Sequence, residues 1–310
     1  MTQDIQVIGL GQACLDNLGK VPLFPQEDEK VELLDIRRQC GGPASTALVT
    51  LGRLGVRTSF LGSVSDDPFG IEIIEGLEKE GVDHRFLKIT PGYSSQSAFI
   101  VISEASGNRT VFWHRGNVPP LKAEDVDLSP FGSAQVLHLD GLMLEASIKA
   151  ARQAKDLGLK VVLDGGTMRE GSLKLVSLVD ILIASERFAE PLVGPGAPPE
   201  DGLRSLYGLG PKQVVITLGA KGSIGWDGSE IFVQKAFPIR AVDTTGAGDV
   251  YHGAYIYGVL QGWGMEECMR FASAASALKC RAVGAREGIP NLEEIKAFME
   301  RFPELRPPGP

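Results

Sequence analysis

The sequence predicts an α/β fold: a mostly parallel, doubly wound sheet with helices on both faces, plus a small antiparallel β sheet set apart from it. Three observations carry this expectation. From residue 135 to 218 short β-type runs alternate with helical patterns, the rhythm of a parallel sheet built from β-α-β units. The first third instead holds alternating, strand-like stretches over 10–39 and 92–113, broken by Gly, Pro and Ser. Finally, the turn Asp243-Thr-Thr-Gly-Ala-Gly-Asp249 runs straight into a helix-like stretch over 250–260, placing a helix N-terminus where a ligand can meet it.

Taken in order, Asp4-Ile-Gln-Val-Ile-Gly9 reads as the first core strand, centred on 7–10. Helices are expected over 44–54 and 69–80, between the two strand-like stretches, and Ser97-Ala-Phe-Ile-Val-Ile102 shows the alternation of a sheet strand. The central region then reads as strand 135–139, an amphipathic helix 145–157 ended by Gly158, strand 160–163, helix 170–178 and strand 180–184. After a Gly/Pro-rich loop over 194–199 come helix 201–207 and strand 213–218. Because the alternation resumes unchanged, that loop reads as a surface connection, and residues 1–310 are expected to form one domain. An extended segment over 236–242, helices over 265–281 and 292–302 and a frayed tail over 304–310 complete the reading.

Composition narrows the function classes. A net charge of −8 argues against a nucleic-acid surface. It leaves ATP open, because backbone amides and Mg²⁺ can offset phosphate charge. No apolar run reaches the ~18 residues of a membrane helix, and no basic-then-apolar leader precedes Ile5, so no membrane role and a cytoplasmic setting are expected. Cys14, Cys40, Cys268 and Cys280 form no C-x-x-C pair and are expected as reduced thiols. His84, His114, His138 and His252 are scattered, so no dedicated metal site is expected. Gly9-Leu-Gly11-Gln-Ala-Cys14 imitates a dinucleotide fingerprint but lacks its third glycine, and there is no G-x-x-x-x-G-K-[ST] loop.

At the 243–249 turn two readings stand side by side. Asp249 can complement the helix dipole while Thr245 or Gly246 caps. Alternatively, the orphan amides form an anion site and Asp249 takes the proton of a hydroxyl that attacks phosphorus.

This turn resembles the C-terminal signature of the ribokinase-like (PfkB) carbohydrate kinases. Gly41-Gly-Pro-Ala-Ser-Thr-Ala47, ahead of Leu51-Gly-Arg-Leu-Gly55, resembles their N-terminal signature, and the similarity runs from Val7 to about Pro290. Gly107-Asn-Arg-Thr110 is similar to a stretch of ketohexokinases, and Ser94-Ser-Gln-Ser-Ala98 to one of sulfofructose kinases. The resemblance implies ATP-dependent transfer of the γ-phosphoryl group to a primary hydroxyl of a sugar, a ketose or ketose derivative within that branch. It implies Asp249 as base, with Gly246, Ala247 and Gly248 supplying amides to the phosphoryl group. Asp16, Gly41, Gly42, Thr46, Gln96 and Arg109 would meet the sugar. Ser185, Thr217, Gly219, Gly222 and Thr244 would meet the nucleotide. Glu186 is the metal candidate for Mg²⁺, and 282–285, with the loop before Thr244, resembles a monovalent-cation (K⁺) region. The small sheet, over about 11–39 and 92–118, would be a lid over the sugar and a homodimer interface.

Each residue also has a plainer reading. Asp16 could make an Asx-turn, Gly41-Gly42 a tight turn, Arg109 a solvated turn residue, Glu186 a helix start, and Thr217 to Gly222 a strand-ending turn. The chain also departs from the pattern. Thr46 stands where many members carry Asn, Pro43 where ketohexokinases carry Asn, and Ser185-Glu186-Arg187-Phe188 where many carry Asn-x-x-Glu. A nucleoside kinase, a fructose-6-phosphate kinase and a non-catalytic sugar sensor on the same fold therefore remain as alternatives.

Overall fold

The structure, a computed structural model, describes residues 4–305. The chain opens with β1 (Val7–Leu10), β2 (Cys14–Val21), β3 (Asp35–Gly41), α1 (Pro43–Arg53), β4 (Thr58–Leu61), β5 (Ser63–Val64) and α2 (Pro68–Lys79). There follow β6 (Lys88–Ile89), β7 (Ser97–Ser103), β8 (Arg109–His114), β9 (Val136–Leu139), α3 (Leu144–Asp156), β10 (Lys160–Gly165) and α4 (Ser172–Val176). Next come β11 (Ile181–Ser185), α5 (Glu186–Val193), α6 (Pro199–Tyr207) and β12 (Gln213–Thr217). The chain closes with β13 (Ser223–Trp226), β14 (Ile231–Gln234), α7 (Ala247–Leu260), α8 (Met265–Lys279) and α9 (Leu292–Glu300).

The main sheet has the order β14-β13-β12-β11-β10-β9-β1-β4. Its strands from β12 to β4 are parallel, as the β-α alternation predicts. Both faces are covered, so the strands are apolar throughout and their side chains alternate between two cores. Val7, Ile181 and Ile183 enter the core shared with α1, α7 and α8, whereas Ile8, Leu10, Leu182 and Ala184 enter the core shared with α3, α5 and α6. Because β1 runs parallel to its neighbours β4 and β9, next to the β4 edge, the loop after Leu10 lies at the sheet's carboxyl end, where a parallel sheet opens a crevice. No helix among the described residues is long and apolar enough to cross a membrane.

Among the described residues the segment 236–242 pairs with no strand, and the sheet edge is taken by the β13–β14 hairpin, which the sequence reading did not name. Its turn is built on Asp227-Gly228, whose Asp accepts from the Ser229 amide at 2.9 Å, a hairpin signal that outranks an extended run containing Pro238. The small sheet, ordered β3-β2-β7-β8, is not antiparallel throughout. The pairs β2–β3 and β7–β8 are antiparallel, but β2 and β7 run parallel from Leu15↔Ser97 to Val21↔Ser103. The chain between them crosses through α1 and α2, and two strands joined by such a crossover need not reverse direction. Finally, the start of the expected tail is anchored, since Leu305 accepts from Arg270 Nε at 2.9 Å. Residues 306–310 lie outside the described residues.

Candidate active site

The two glycine turns meet at the carboxyl edge of the main sheet. After β3 the chain turns at Gly41-Gly42, and Gly42 (φ 100°) is the residue before α1, with Pro43 fixed in the first turn. Asp16, on β2 opposite Gln39, points at this turn and is 4% exposed. A Cβ on Gly41 would lie 2.1 Å from Asp16 Oδ2, so only glycine lets the carboxylate approach the backbone there. The Cys14 thiol donates to Asp16 Oδ1 at 3.1 Å. Burial raises the Asp16 pKa above the usual carboxylate value, against the pull of that thiol and of Arg286. The Asx-turn alternative is therefore not what Asp16 does, since it lies within a strand.

Two further expected sugar residues carry polar atoms left over by the protein. Thr46 Oγ1 on α1 and Gln96 Oε1 just before β7 are buried without a hydrogen-bond partner among the described residues. Such a group costs about 1–3 kcal/mol unless something pairs with it. Arg109 opens β8 rather than sitting on the turn, and its Nη1 donates to Thr244 Oγ1 at 2.6 Å. The small sheet thus reaches across to the 243–249 turn.

That turn is over-determined. Asp243 is fully buried; its Oδ1 accepts from the Thr245 amide (2.8 Å) and hydroxyl (2.7 Å), and its Oδ2 from the Gly284 amide (2.6 Å). Asp243 therefore ties the loop 282–285 to the start of α7. Lys279 Nζ, buried under the same turn, donates to the Asp243 carbonyl at 3.0 Å. Gly246 precedes α7 in the left-handed region (φ 76°), and a Cβ there would meet Ala285 at 2.8 Å. Nothing lies within 4 Å of the corresponding position on Gly248, which leaves that side of the turn open for close approach. The Ala247 amide is already spent on the Thr244 carbonyl at 3.2 Å, so of the three expected amide donors this one is engaged within the turn.

Asp249, in the first turn of α7, is partly buried. Burial and the neighbouring Asp164 push its pKa up to about 6, against the pull of His252 and Arg109. Asp164 stands at the end of β10, its own pKa raised by burial, with Oδ1 3.5 Å from His252 Nε2. The His252 ring is wedged one helical turn behind Asp249, with Nδ1 2.6 Å from the Gly248 oxygen and Nε2 3.2 Å from the Ile183 oxygen. At the end of β9, Asp140 accepts from the Gln12 amide at 2.6 Å and the Leu142 amide at 3.0 Å. Burial, aided by Asp164, holds its pKa up at about 7 despite those donors. Asp140, Asp164 and Pro43 line a cavity of about 210 Å³.

On the other side of the turn lies a larger cleft, about 530 Å³, lined by Thr217, Gly219, Gly222, Thr244, Ala247 and Gly248 with apolar walls from Phe237, Ile239 and Ala277. Four of the five residues expected at the nucleotide are thus together. Ser185 is not among them: it precedes α5, accepting from the Phe188 amide at 3.3 Å and donating to the Gly166 carbonyl at 2.7 Å. Glu186 is exposed in the first turn of α5 and lines a separate cleft with Pro199 and Gly202. It lines neither the 210 Å³ cavity nor the 530 Å³ cleft, and the helix-start reading accounts for its position.

The pattern described as pfkB family carbohydrate kinase matches residues 5–292. The chain belongs to the pfkB family of carbohydrate kinases. It is 29% identical to a ribokinase of Haemophilus influenzae over 94% of this chain and 97% of that protein. It is 26% identical to a ketohexokinase of Mus musculus, over 91% and 98%. The structure of an Arabidopsis thaliana ribokinase complexed with ribose and ATP superposes with a TM-score of 0.82 at 25% identity, covering 96% and 99%. As a pfkB kinase the protein is a phosphotransferase, and its relatives differ in the acceptor they are named for.

Sequence reasoning missed Asp140, Asp164, His252 and Lys279. The first two carried a usable signal: each ends an apolar strand run, Val-Leu-His-Leu-Asp140 and Val-Val-Leu-Asp164, at the sheet edge where ligands bind. His252 and Lys279 carried none, because each lies within an apolar helical stretch that reads as core.

Proposed function

We propose that the protein transfers the γ-phosphoryl group of ATP to a primary hydroxyl of a ketose or ketose derivative, with Asp249 as general base. The observation that carries this reading is the position of Asp249. It follows the open Gly248, which lines the 530 Å³ cleft, and it lies within electrostatic reach of Arg109 and Asp16 on the small sheet. Acceptor and donor sites would meet there. The hydroxyl proton passes to the Asp249 carboxylate as the new O–P bond forms, and the bond to the bridging oxygen breaks with its electron pair leaving on ADP. The free amides at the start of α7 face the charge that develops on the phosphoryl oxygens.

The carboxylate supply on this edge suits Mg²⁺, which takes one or two carboxylates and fills its shell with phosphate oxygens and water. Asp164, which is not the proposed base, is the candidate, and among the described residues no three His, Cys, Asp or Glu side chains converge into a closed cage. Bound with the nucleotide, the ion would neutralise charge on the β- and γ-phosphates.

Acceptor choice follows from the unpaired polar atoms. Thr46 Oγ1, Gln96 Oε1 and the Asp16 carboxylate suit a ligand rich in hydroxyls, since leaving such groups unpaired is costly. The expected result is a kcat/KM for a ketohexose or a close derivative at least about tenfold above that for adenosine, a gap of roughly 1.4 kcal/mol. Steady-state kinetics on both acceptors would decide, and preference for adenosine would favour a nucleoside kinase.

The small sheet is proposed as a lid. Its inner face, by register, presents Asp16, Arg109 and Trp113. Amides of β2, β3, β7 and β8 are expected to exchange more slowly once sugar binds, whereas β10 to β12 respond mainly to nucleotide. Identical protection by both ligands would contradict a separate lid.

Its outer face is proposed as a homodimer interface. Ile36, Phe99 and Phe112 share that face by register and are 71%, 61% and 53% exposed. Every residue of the edge strand β8 is exposed, an arrangement that invites pairing. Light scattering should give a dimer that Phe112→Arg converts to monomer; an unchanged mass for the variant would place any dimer elsewhere.

A further inference from the structure

On the far side of the Gly41-Gly42 turn, β3, α2 and the loop after α8 enclose a cleft of about 480 Å³. It is lined by Arg37, Arg38, Arg53, Lys79 and Arg286, against the two carboxylates Glu80 and Glu287. This concentrates positive charge on a chain whose net charge is −8.

The deepest of these groups is Arg286, only 5% exposed. Its Nη2 donates to Ser45 Oγ at 3.0 Å, while its Nε is buried with no partner among the described residues. The carboxylates that could satisfy it are engaged. Glu80 takes two donations from Arg53, at 3.0 and 2.7 Å, Glu287 pairs with Arg37 at 2.7 Å, and Glu72 pairs with Arg38 at 2.7 Å. The Arg37 and Arg38 pairs are solvent-exposed and so weak enough to exchange for a better anion. Lys79 is exposed in the last turn of α2 with no ion pair among the described residues. A buried, planar guanidinium with an unspent Nε donor, beside Arg37, Arg38 and Lys79, can donate to the tetrahedral oxygens of a phosphoryl group.

Arg286 also touches both halves of the active site. Ser45, which accepts from it, donates to the Gly41 carbonyl at 2.6 Å in the turn that faces Asp16. The Arg286 amide donates to Gln39 Oε1 at 3.1 Å, and two residues earlier in that loop Gly284 is held by Asp243.

We infer that this cleft is a second, regulatory anion site that takes a phosphoryl-bearing metabolite, with Arg286 as its recognition group. Its occupant draws the guanidinium away from Ser45, loosens the Gly41-Gly42 turn and raises the KM for sugar while leaving kcat unchanged. Binding itself does not depend on the kinase reading, because it is measured without turnover. The test is calorimetry of the full-length protein at constant ionic strength with inorganic phosphate and, in a second arm, fructose 1-phosphate. Wild type is compared with Lys79→Glu, a surface change on α2 outside the active site and the lid. The expected result is a Kd of about 1 mM or tighter, weakened at least about tenfold in the variant, whose sugar KM in the absence of phosphate is unchanged. Tighter binding of the ester that is lost in the variant identifies a sugar phosphate as the occupant, since binding as product at the active site would be the same in both proteins; equal binding identifies free phosphate. Isotherms that coincide for the two proteins, or the absence of a phosphate-dependent rise in sugar KM in wild type, would overturn the inference.

Discussion

Asp249→Asn is expected to cut kcat by about 10²–10⁴ while nucleotide affinity holds. The substitution keeps size and hydrogen bonding and removes only basicity. Stopped assays with saturating ATP and sugar would measure it, and a kcat within about threefold of wild type would remove Asp249 as base, since loss of a general base costs far more. The fold should not suffer. Burial and Asp164 raise the Asp249 pKa to about 6 in the native state. The native state therefore binds its proton more tightly than the unfolded chain, and ionising the group lowers stability as pH rises from the ordinary carboxylate value through about 6. At neutral pH that charge is unfavourable to folding, so Asp249→Asn should melt at the same or a higher temperature than wild type. The same shift gives wild-type kcat/KM an acid limb near pH 6, with activity falling as Asp249 takes up its proton below it.

Asp16→Asn is the second large effect. Asp16 is 4% exposed, aimed at the Gly41 backbone and, among the described residues, has no cation in hydrogen-bonding contact. Its carboxylate can accept from two adjacent sugar hydroxyls, and hydrogen bonds to a charged group contribute about 1.5–3 kcal/mol each. Losing one of them predicts a fall of about 10–100-fold in kcat/KM for sugar, with the KM for ATP unchanged. Because burial already raises the Asp16 pKa, the neutral amide should be tolerated by the fold. Equal losses for sugar and ATP would point to a general disturbance of the site instead.

Much of this was legible in the sequence, for identifiable reasons. Strands buried on both faces have to be continuously apolar, and the helices between them have to be amphipathic, so the run from β9 to β12 announced itself. The two glycine turns were legible because backbone conformation and close approach leave few residue choices at Gly41 and Gly246. What stayed hidden was set by partners distant in sequence. The parallel pairing of β2 with β7 depends on a crossover, which local alternation does not record. Lys279 and His252 read as interruptions of apolar helices, and only packing reveals that they lie beneath Asp243 and behind Asp249. Ser185 and Glu186 were candidates because they follow a strand at the right edge, but the capping demand of α5 accounts for both.

The most direct test of the central claim is the fate of the γ-phosphoryl group, followed by ³¹P NMR with Mg·ATP and a ketohexose. The account predicts a new phosphomonoester resonance that grows in step with ADP, only when sugar is present, at a rate that falls as pH is lowered through about 6. Release of inorganic phosphate alone, or ATP consumption at the same rate with and without sugar, would contradict it.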